Sequence, residues 1–221
     1  MHLGEGIDEK SRAEFDTLKQ KRLLNANTVI IHSTAFGPAE FSQMASIGSK
    51  LIWSPQSNLV LYGKTTDIKA ARQAGVKVSL GVDWNPSGSN SIYDELRVAE
   101  TVNREQFDDA IPENEWLKLV TANPAEALAV GDRIGHIAPG FKADLLVLQR
   151  RDDDPNRSLL KNQVQDVQWV MVGGRPLYGS AAAIQKLRPD QCEPVTIHGS
   201  RKRICRLRLK FPYVIIFCEK A

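Results

Sequence analysis

The chain predicts an α/β fold: a partial (β/α)8 barrel followed by a small β-domain. Three observations carry that reading. Short β-branched runs alternate with helical stretches, and the units recur about every 20 to 30 residues in the first half, the spacing of parallel βαβ units closing toward a barrel. After about residue 130 the texture changes to short strands separated by Pro-Gly and Gly-Gly turns. The composition is that of an ordinary globular chain, with 42% hydrophobic and 25% charged residues in 221.

Element by element, a helical stretch over about 9–25 precedes Thr28-Val-Ile-Ile31, a strand ending on His32. Pro38 and Glu40 open an amphipathic helix through Ile47, and Gly48 closes it as a C-terminal glycine does. Leu51-Ile-Trp53 is the next strand, ended by Ser54-Pro55. A helix over 66–74 stops at Gly75, and a strand over 76–82 ends on Asp83. Helices follow over about 92–107 and 113–120. Short strands are expected at 134–137, 143–148 and 167–172, with a charged loop at 150–154 and Pro155 between the last two. Gly173-Gly174 before Arg-Pro-Leu-Tyr reads as a hairpin turn. The expected division is 1–130 for the barrel part, 131–180 for the β-domain and 181–221 for a basic tail.

Charge and cysteines bound the functional classes. The net charge is +3, but residues 181–221 alone carry an excess of six positive charges, concentrated in Arg201–Lys210. That segment also alternates polar with apolar residues from Cys205 and lacks interleaved aromatics, so a solvated or edge strand is favoured over a nucleic-acid site. Residues 211–218 form an aggregation-prone apolar run if exposed. That run is too short to span a membrane, and no basic-then-apolar leader opens the chain. Three cysteines, Cys192, Cys205 and Cys218, make neither a disulfide framework nor a zinc ribbon and point to a reducing, cytoplasmic setting.

Four polar residues stand at or just beyond strand ends: His2, Glu5, His32 and Asp83. In a parallel barrel those ends form the functional face. Imidazoles with a carboxylate suit a borderline divalent metal such as zinc, which makes water nucleophilic at neutral pH. Two carboxyl groups can move the two protons that hydrolysis of a C–N bond requires. Blander readings stand beside this one. His32 also fits a hydrogen-bonded core histidine, and Asp83 before Trp-Asn-Pro-Ser-Gly also fits an Asx-turn or a helix cap.

Eight segments in order carry a family resemblance over His2–Tyr178. They are Met1-His-Leu-Gly-Glu5, Ile30-Ile-His32, Trp53-Ser-Pro-Gln-Ser-Asn-Leu59, Leu80-Gly-Val-Asp83, Asp83-Trp-Asn-Pro-Ser-Gly-Ser89 with Glu95-Leu96, Thr121-Ala-Asn-Pro-Ala-Glu-Ala-Leu128, Gly135–Leu148 and Val172-Gly-Gly-Arg-Pro-Leu-Tyr178. Together they resemble the C-terminal half of the amidohydrolase superfamily, on the branch of cytosine, guanine and S-adenosylhomocysteine deaminases and triazine hydrolases. The resemblance implies strands 5–8 of a TIM barrel followed by part of a β-sandwich. It implies a metal-dependent hydrolase of C–N bonds other than peptide bonds, with a divalent metal, zinc for choice. His2 would be a metal ligand, Glu5 the proton shuttle, His32 the group that orients water or polarises substrate, and Asp83 both metal ligand and general base. His136 falls in the sandwich motif as a structural residue, Asn58 helps shape the pocket, and nothing points to a role for His198.

The family also places a His-x-His pair at the end of its first barrel strand, and none of the four histidines here forms one. The chain therefore reads as a fragment. The partner expected is a small-molecule substrate, with no membrane or nucleic acid, and with homo-oligomerisation through open strand edges. The alternative is a catalytically inactive remnant that serves as an interaction or oligomerisation module.

Overall fold

A computed structural model describes residues 1–187 and 192–205. Compact contacts divide the chain into two units, residues 1–141 with 150–163, and the remainder.

The first unit is built on a four-stranded, all-parallel sheet in the order β1 (His2–Leu3), β2 (Val29–His32), β3 (Lys50–Trp53), β4 (Lys77–Leu80). Ile30 pairs with Leu51 and Leu51 with Val78, so one row of fully buried aliphatics crosses the sheet. Helices α1 (Glu9–Gln20) and α2 (Pro38–Ile47) supply Phe15, Leu18, Phe41 and Met44 to the core. In α2, Pro38 sits in the first turn, Glu40 accepts the Gly37 N–H at 2.9 Å, and Gly48 leaves the helix at φ +78°. Helix α3 (Pro55–Tyr62) follows β3 at once, because Pro55 occupies the first helical turn, where a missing N–H costs nothing. Then come α4 (Ile68–Gln73), α5 (Ile92–Phe107), α6 (Trp116–Val120) and α7 (Ala122–Ala127). The Asn123 side chain donates to the Val78 carbonyl at 2.7 Å, pairing one main-chain group of β4. Helix α8 (Pro155–Lys161) completes the unit, its N-cap Asp154 accepting from Asn156 and Arg157 N–H.

The second unit is a five-stranded antiparallel sheet in the order β5 (Leu145–Leu148), β6 (Val167–Val172), β7 (Arg175–Ser180), β9 (Ser200–Cys205), β8 (Cys192–Ile197), with α9 (Ala181–Leu187). Gly173 and Gly174 turn β6 into β7 with φ of +55° and +76°, the double left-handed geometry of a type I′ hairpin. A side chain at Gly179 would meet the Gln168 carbonyl at 2.4 Å, so only glycine fits there.

Several expectations are corrected. The first helix ends at Gln20, not near residue 25. Residues 134–137 form turns, not a strand: Arg133 and Ile134 N–H both bond the Val130 carbonyl, Gly135 takes φ +89° and Ile137 is 90% exposed. The charged loop expected at 150–154 is a loop, but Pro155 opens α8, which belongs to the first unit, so the contacts do not divide the chain at 130 and 180. Residues 181–205 are not a tail but a helix and two strands, and β9 lies between β7 and β8 instead of at an edge. Cys192 and Cys205 face each other across β8 and β9 and form a disulfide, against the reading of unpaired thiols. The alternating run beyond Cys205, the apolar run 211–218 and Cys218 lie outside the described residues. Among the described residues no helix is long and apolar enough to cross a membrane.

Candidate metal centre at the strand ends

His2 and Glu5 are brought together by the turn that leaves β1. Gly4 between them takes φ +63°, and a Cβ there would strike the Phe36 ring at 2.4 Å, so the bend requires glycine. The Gly4 N–H is held by Glu14 at 2.8 Å. His32 ends β2 in the left-handed region, φ +75°, and Ser33 follows at +57°. Such backbone costs roughly 1–3 kcal/mol per residue and persists where the surroundings dictate it. Here the Ser33 N–H bonds the Leu3 carbonyl, Ala35 N–H bonds Gly4, and the Thr66 hydroxyl bonds the His32 carbonyl. The strained turn aims a fully buried imidazole at the mouth of β1. Asp83 lies three residues past β4, its Oδ1 accepting the Trp84 N–H at 2.7 Å.

These four side chains converge. His32 Nε2 is 3.0 Å from His2 Nδ1, 3.4 Å from Glu5 Oε2 and 3.9 Å from Asp83 Oδ2, and His2 Nδ1 is 3.5 Å from Glu5 Oε2. Exposure is graded across them: 57% for the His2 side chain, 28% for Glu5, 16% for Asp83 and none for His32. His136 is elsewhere, packed edge-on against Phe141.

A second layer comes mainly from α3. Asn58 Nδ2 lies 3.0 Å from His32 Nδ1, while its Oδ1 faces the Thr65 hydroxyl at 3.3 Å, which in turn takes the Trp53 indole N–H at 2.8 Å. Ser57 hydrogen-bonds the Asp83 carboxylate, and the Tyr62 hydroxyl donates to Glu5 at 3.4 Å. Fully buried Glu95 of α5 accepts the Gln56 N–H at 3.0 Å and is also bonded by Ser89. Apart from Asn58, this layer was not foreseen. The sequence signal for it is that Ser57, Asn58, Ser89 and Glu95 stand inside segments that carry the family resemblance.

The electrostatics follow from burial and charge. Burial holds the His32 imidazole below the ordinary histidine range, although the Glu5 and Asp83 carboxylates oppose it. For Asp83, burial pulls upward, but the Trp84 N–H, the Ser57 hydroxyl and the two imidazoles outweigh it and keep the carboxyl below its usual range. Burial raises Tyr62, and the Glu5 charge adds to it. Glu95 is raised, above all by burial.

The residues fit a divalent cation. Ligand atoms of His2, Glu5 and His32 all lie within 4.8 Å of one another, the only such group among the described residues. Four ligands about 2.05 Å from a tetrahedral zinc stand about 3.3 Å apart, close to the spacings found here. Two imidazoles and two carboxylates are also the donor types zinc takes. Such a cluster can hold a cation, accept a proton from water and return one to a leaving group.

The chain belongs to the amidohydrolase family, which matches residues 1–177. A 5-methylthioadenosine/S-adenosylhomocysteine deaminase of Teredinibacter turnerae is 27% identical over 172 residues, covering 76% of this chain and 38% of its own length. Among solved structures, an adenosine deaminase from Xanthomonas campestris with bound zinc superposes with a TM-score of 0.72 at 25% identity, over 79% of this chain and 44% of that one. The guanine deaminase of E. coli gives 0.71 at 25% identity, over 80% and 46%. The chain thus spans well under half the length of the relatives it matches.

Proposed function

We propose that this chain carries the acid–base half of a metal-dependent amidohydrolase active site that hydrolyses a non-peptide C–N bond, in the manner of a deaminase acting on a small aminated heterocycle. The observation that supports it most is the convergence of His2, Glu5, His32 and Asp83 at the carboxyl ends of three parallel strands, β1, β2 and β4. In this reading β1–β4 correspond to strands 5–8 of a TIM barrel, and the antiparallel unit to part of the family's β-sandwich. A zinc cofactor belongs to the same proposal, supported by the zinc of the Xanthomonas relative.

His2 and Asp83 would hold the cation, which when bound supplies Lewis acidity that brings the pKa of water from 15.7 to about 7. Asp83, with its carboxyl held low, takes the proton of the water whose oxygen attacks the substrate carbon. His32 donates a hydrogen bond to the charge that develops at the reacting centre. Glu5, partly open to solvent and reached by the Tyr62 hydroxyl, relays the proton that Asp83 took from water to the departing nitrogen as the C–N bond breaks, so ammonia leaves neutral and both carboxylates are restored.

The test joins this chain to an N-terminal segment bearing a His-x-His pair and measures zinc content and release of ammonia from adenosine. The expected result is about one zinc per chain and turnover that Asp83→Asn abolishes. Full activity in that variant would refute the assignment of roles. The rival reading is a non-catalytic interaction module. A metal-free, well-defined dimer that resists reconstitution would establish it.

A further inference from the structure

We propose that Asn58 is a positioning residue that fixes His32 as the tautomer protonated on Nε2, with Thr65 and Trp53 locking Asn58 from behind. The direction of the chain follows from its first member. An indole N–H only donates, so the Thr65 hydroxyl, 2.8 Å from Trp53 Nε1, accepts there and must send its single proton elsewhere. Asn58 Oδ1, 3.3 Å away, receives it. Turning the Asn58 amide over would set its NH2 against that hydroxyl and leave a buried donor without an acceptor. The amide nitrogen therefore faces His32 Nδ1 at 3.0 Å, and that ring nitrogen has to accept.

The other edge of the ring is compatible with that direction. His32 Nε2 looks toward two carboxylates, Glu5 at 3.4 Å and Asp83 at 3.9 Å, and toward His2 Nδ1 at 3.0 Å, so a proton on Nε2 finds acceptors within reach. All four members of the chain, Trp53, Thr65, Asn58 and His32, are at most 2% exposed, so water does not compete for their bonds.

The consequence deepens the proposed function and rests on it for its meaning. A nitrogen that carries a proton has no lone pair for a cation. Of the three ligand atoms that converge, His32 Nε2 is then a hydrogen-bond donor to water or substrate, and the cation falls to His2 and the carboxylates. The chain from Trp53 determines which of the two jobs His32 does.

Long-range 1H–15N correlation spectra of the full chain labelled with 15N-histidine, at about pH 8 where an ordinary imidazole is neutral, read which ring nitrogen bears the proton. His32→Gln assigns the signal by its loss. The expected spectrum of the parent chain has His32 protonated on Nε2. Asn58→Asp replaces the donor facing Nδ1 by an acceptor, and Nδ1 becomes protonated. Thr65→Val keeps the side-chain shape but frees the amide to turn, and a second tautomer appears. Parent protein protonated on Nδ1 overturns the proposal, as does an Asn58→Asp or Thr65→Val chain that keeps His32 wholly in the Nε2–H form. If Asn58→Asp fails to fold, the parent spectrum and Thr65→Val still decide. Because no turnover is measured, a chain with the expected tautomer that yields no deaminase refutes the proposed function alone, and an active enzyme with the opposite tautomer refutes only this inference.

Discussion

In the parallel unit one file of polar side chains leads to the end of the sheet that carries the site: Trp53 to Thr65, Thr65 to Asn58, Asn58 to His32, His32 to His2. The antiparallel unit treats its one buried cation among the described residues differently. Lys202 gives protons to two main-chain carbonyls, Gln165 at 2.6 Å and Val167 at 2.7 Å, with the Asp166 charge nearby. Its apolar cluster of Ile184, Cys192, Cys205 and Trp169 is small, and a covalent bond helps hold it. The contrast teaches where each unit spends its stability. A core that includes Phe15, Phe41, Met44, Leu51 and Trp53 surrounds the left-handed backbone at His32 and Ser33, whereas left-handed His198 of the antiparallel unit sits in the turn between β8 and β9.

The largest effect expected from this difference is on turnover. In the completed enzyme, Asp83→Asn should lower kcat/KM for adenosine by about a thousandfold or more, the range of lost acid–base and ligand chemistry. Cys192→Ser should leave it within about a factor of two. Steady-state kinetics with zinc content checked in parallel decide the point, and a comparable loss from both variants would erase the functional distinction between the units.

Next in size is the disulfide. Cys192 and Cys205 are 13 apart in sequence, and closing a loop of that length contributes about 3 kcal/mol through the unfolded state. Cys205→Ser should therefore cut hydrogen-exchange protection of Val170 and Tyr178 amides by about a hundredfold and leave Ile30 and Leu51 amides unchanged. Equal loss in both sets would mean the two units unfold as one.

The sequence made the parallel unit readable because its strands are β-branched runs ended by polar residues and its helices carry glycine stops. His2, Glu5, His32 and Asp83 could be named as candidates from that alone, since period and punctuation locate strand ends. Pro38 is legible as a helix start, but two other proline starts are not. Pro55 and Pro155 read as breaks, yet each sits in the first turn of a helix. With α3 unseen, the layer it carries, Ser57, Asn58 and Tyr62, had no place to act. The direction of a hydrogen bond is also invisible in spacing, because it depends on which edge of a ring faces which atom. In the antiparallel unit, alternation located β6 and the glycine pair located the turn. The order that puts β9 inside the sheet comes from long-range pairing, which no local pattern encodes.

Within the parallel unit, Glu95 gives a pH-dependent effect of fixed sign. Burial raises its pKa, so the folded chain binds a proton that the unfolded chain releases above about pH 4.3, and stability falls as pH rises through the window between the two values. Glu95→Gln keeps an oxygen for the Gln56 N–H and removes the charge. Its Tm relative to the parent should climb as pH rises above about 4.3 and level off where the parent carboxyl is ionised in both states. A flat difference would show that Glu95 is not held neutral.

The smallest effect tests the opposite slope on a neighbouring element. Burial pulls the Glu40 carboxyl upward, but the Gly37 N–H at 2.9 Å and the Arg12 guanidinium at 3.0 Å pull it further down, so it lies below its ordinary range. The stability it contributes is present above about pH 4.3 and is lost as pH falls through the folded value. Glu40→Ala removes the reciprocal bond at the start of α2 and should cost about 1 kcal/mol, the usual size of a cap. Arg12→Ala should cost less, because that guanidinium is open to solvent and screened by salt. Thermal melts at low and high ionic strength separate the two: the Arg12 effect should vanish in salt, while most of the Glu40 effect should remain. Were both to vanish together, the helix start would depend on the ion pair rather than on the main-chain bond, and the turn leading from His32 into α2 would be held by charge instead of by capping.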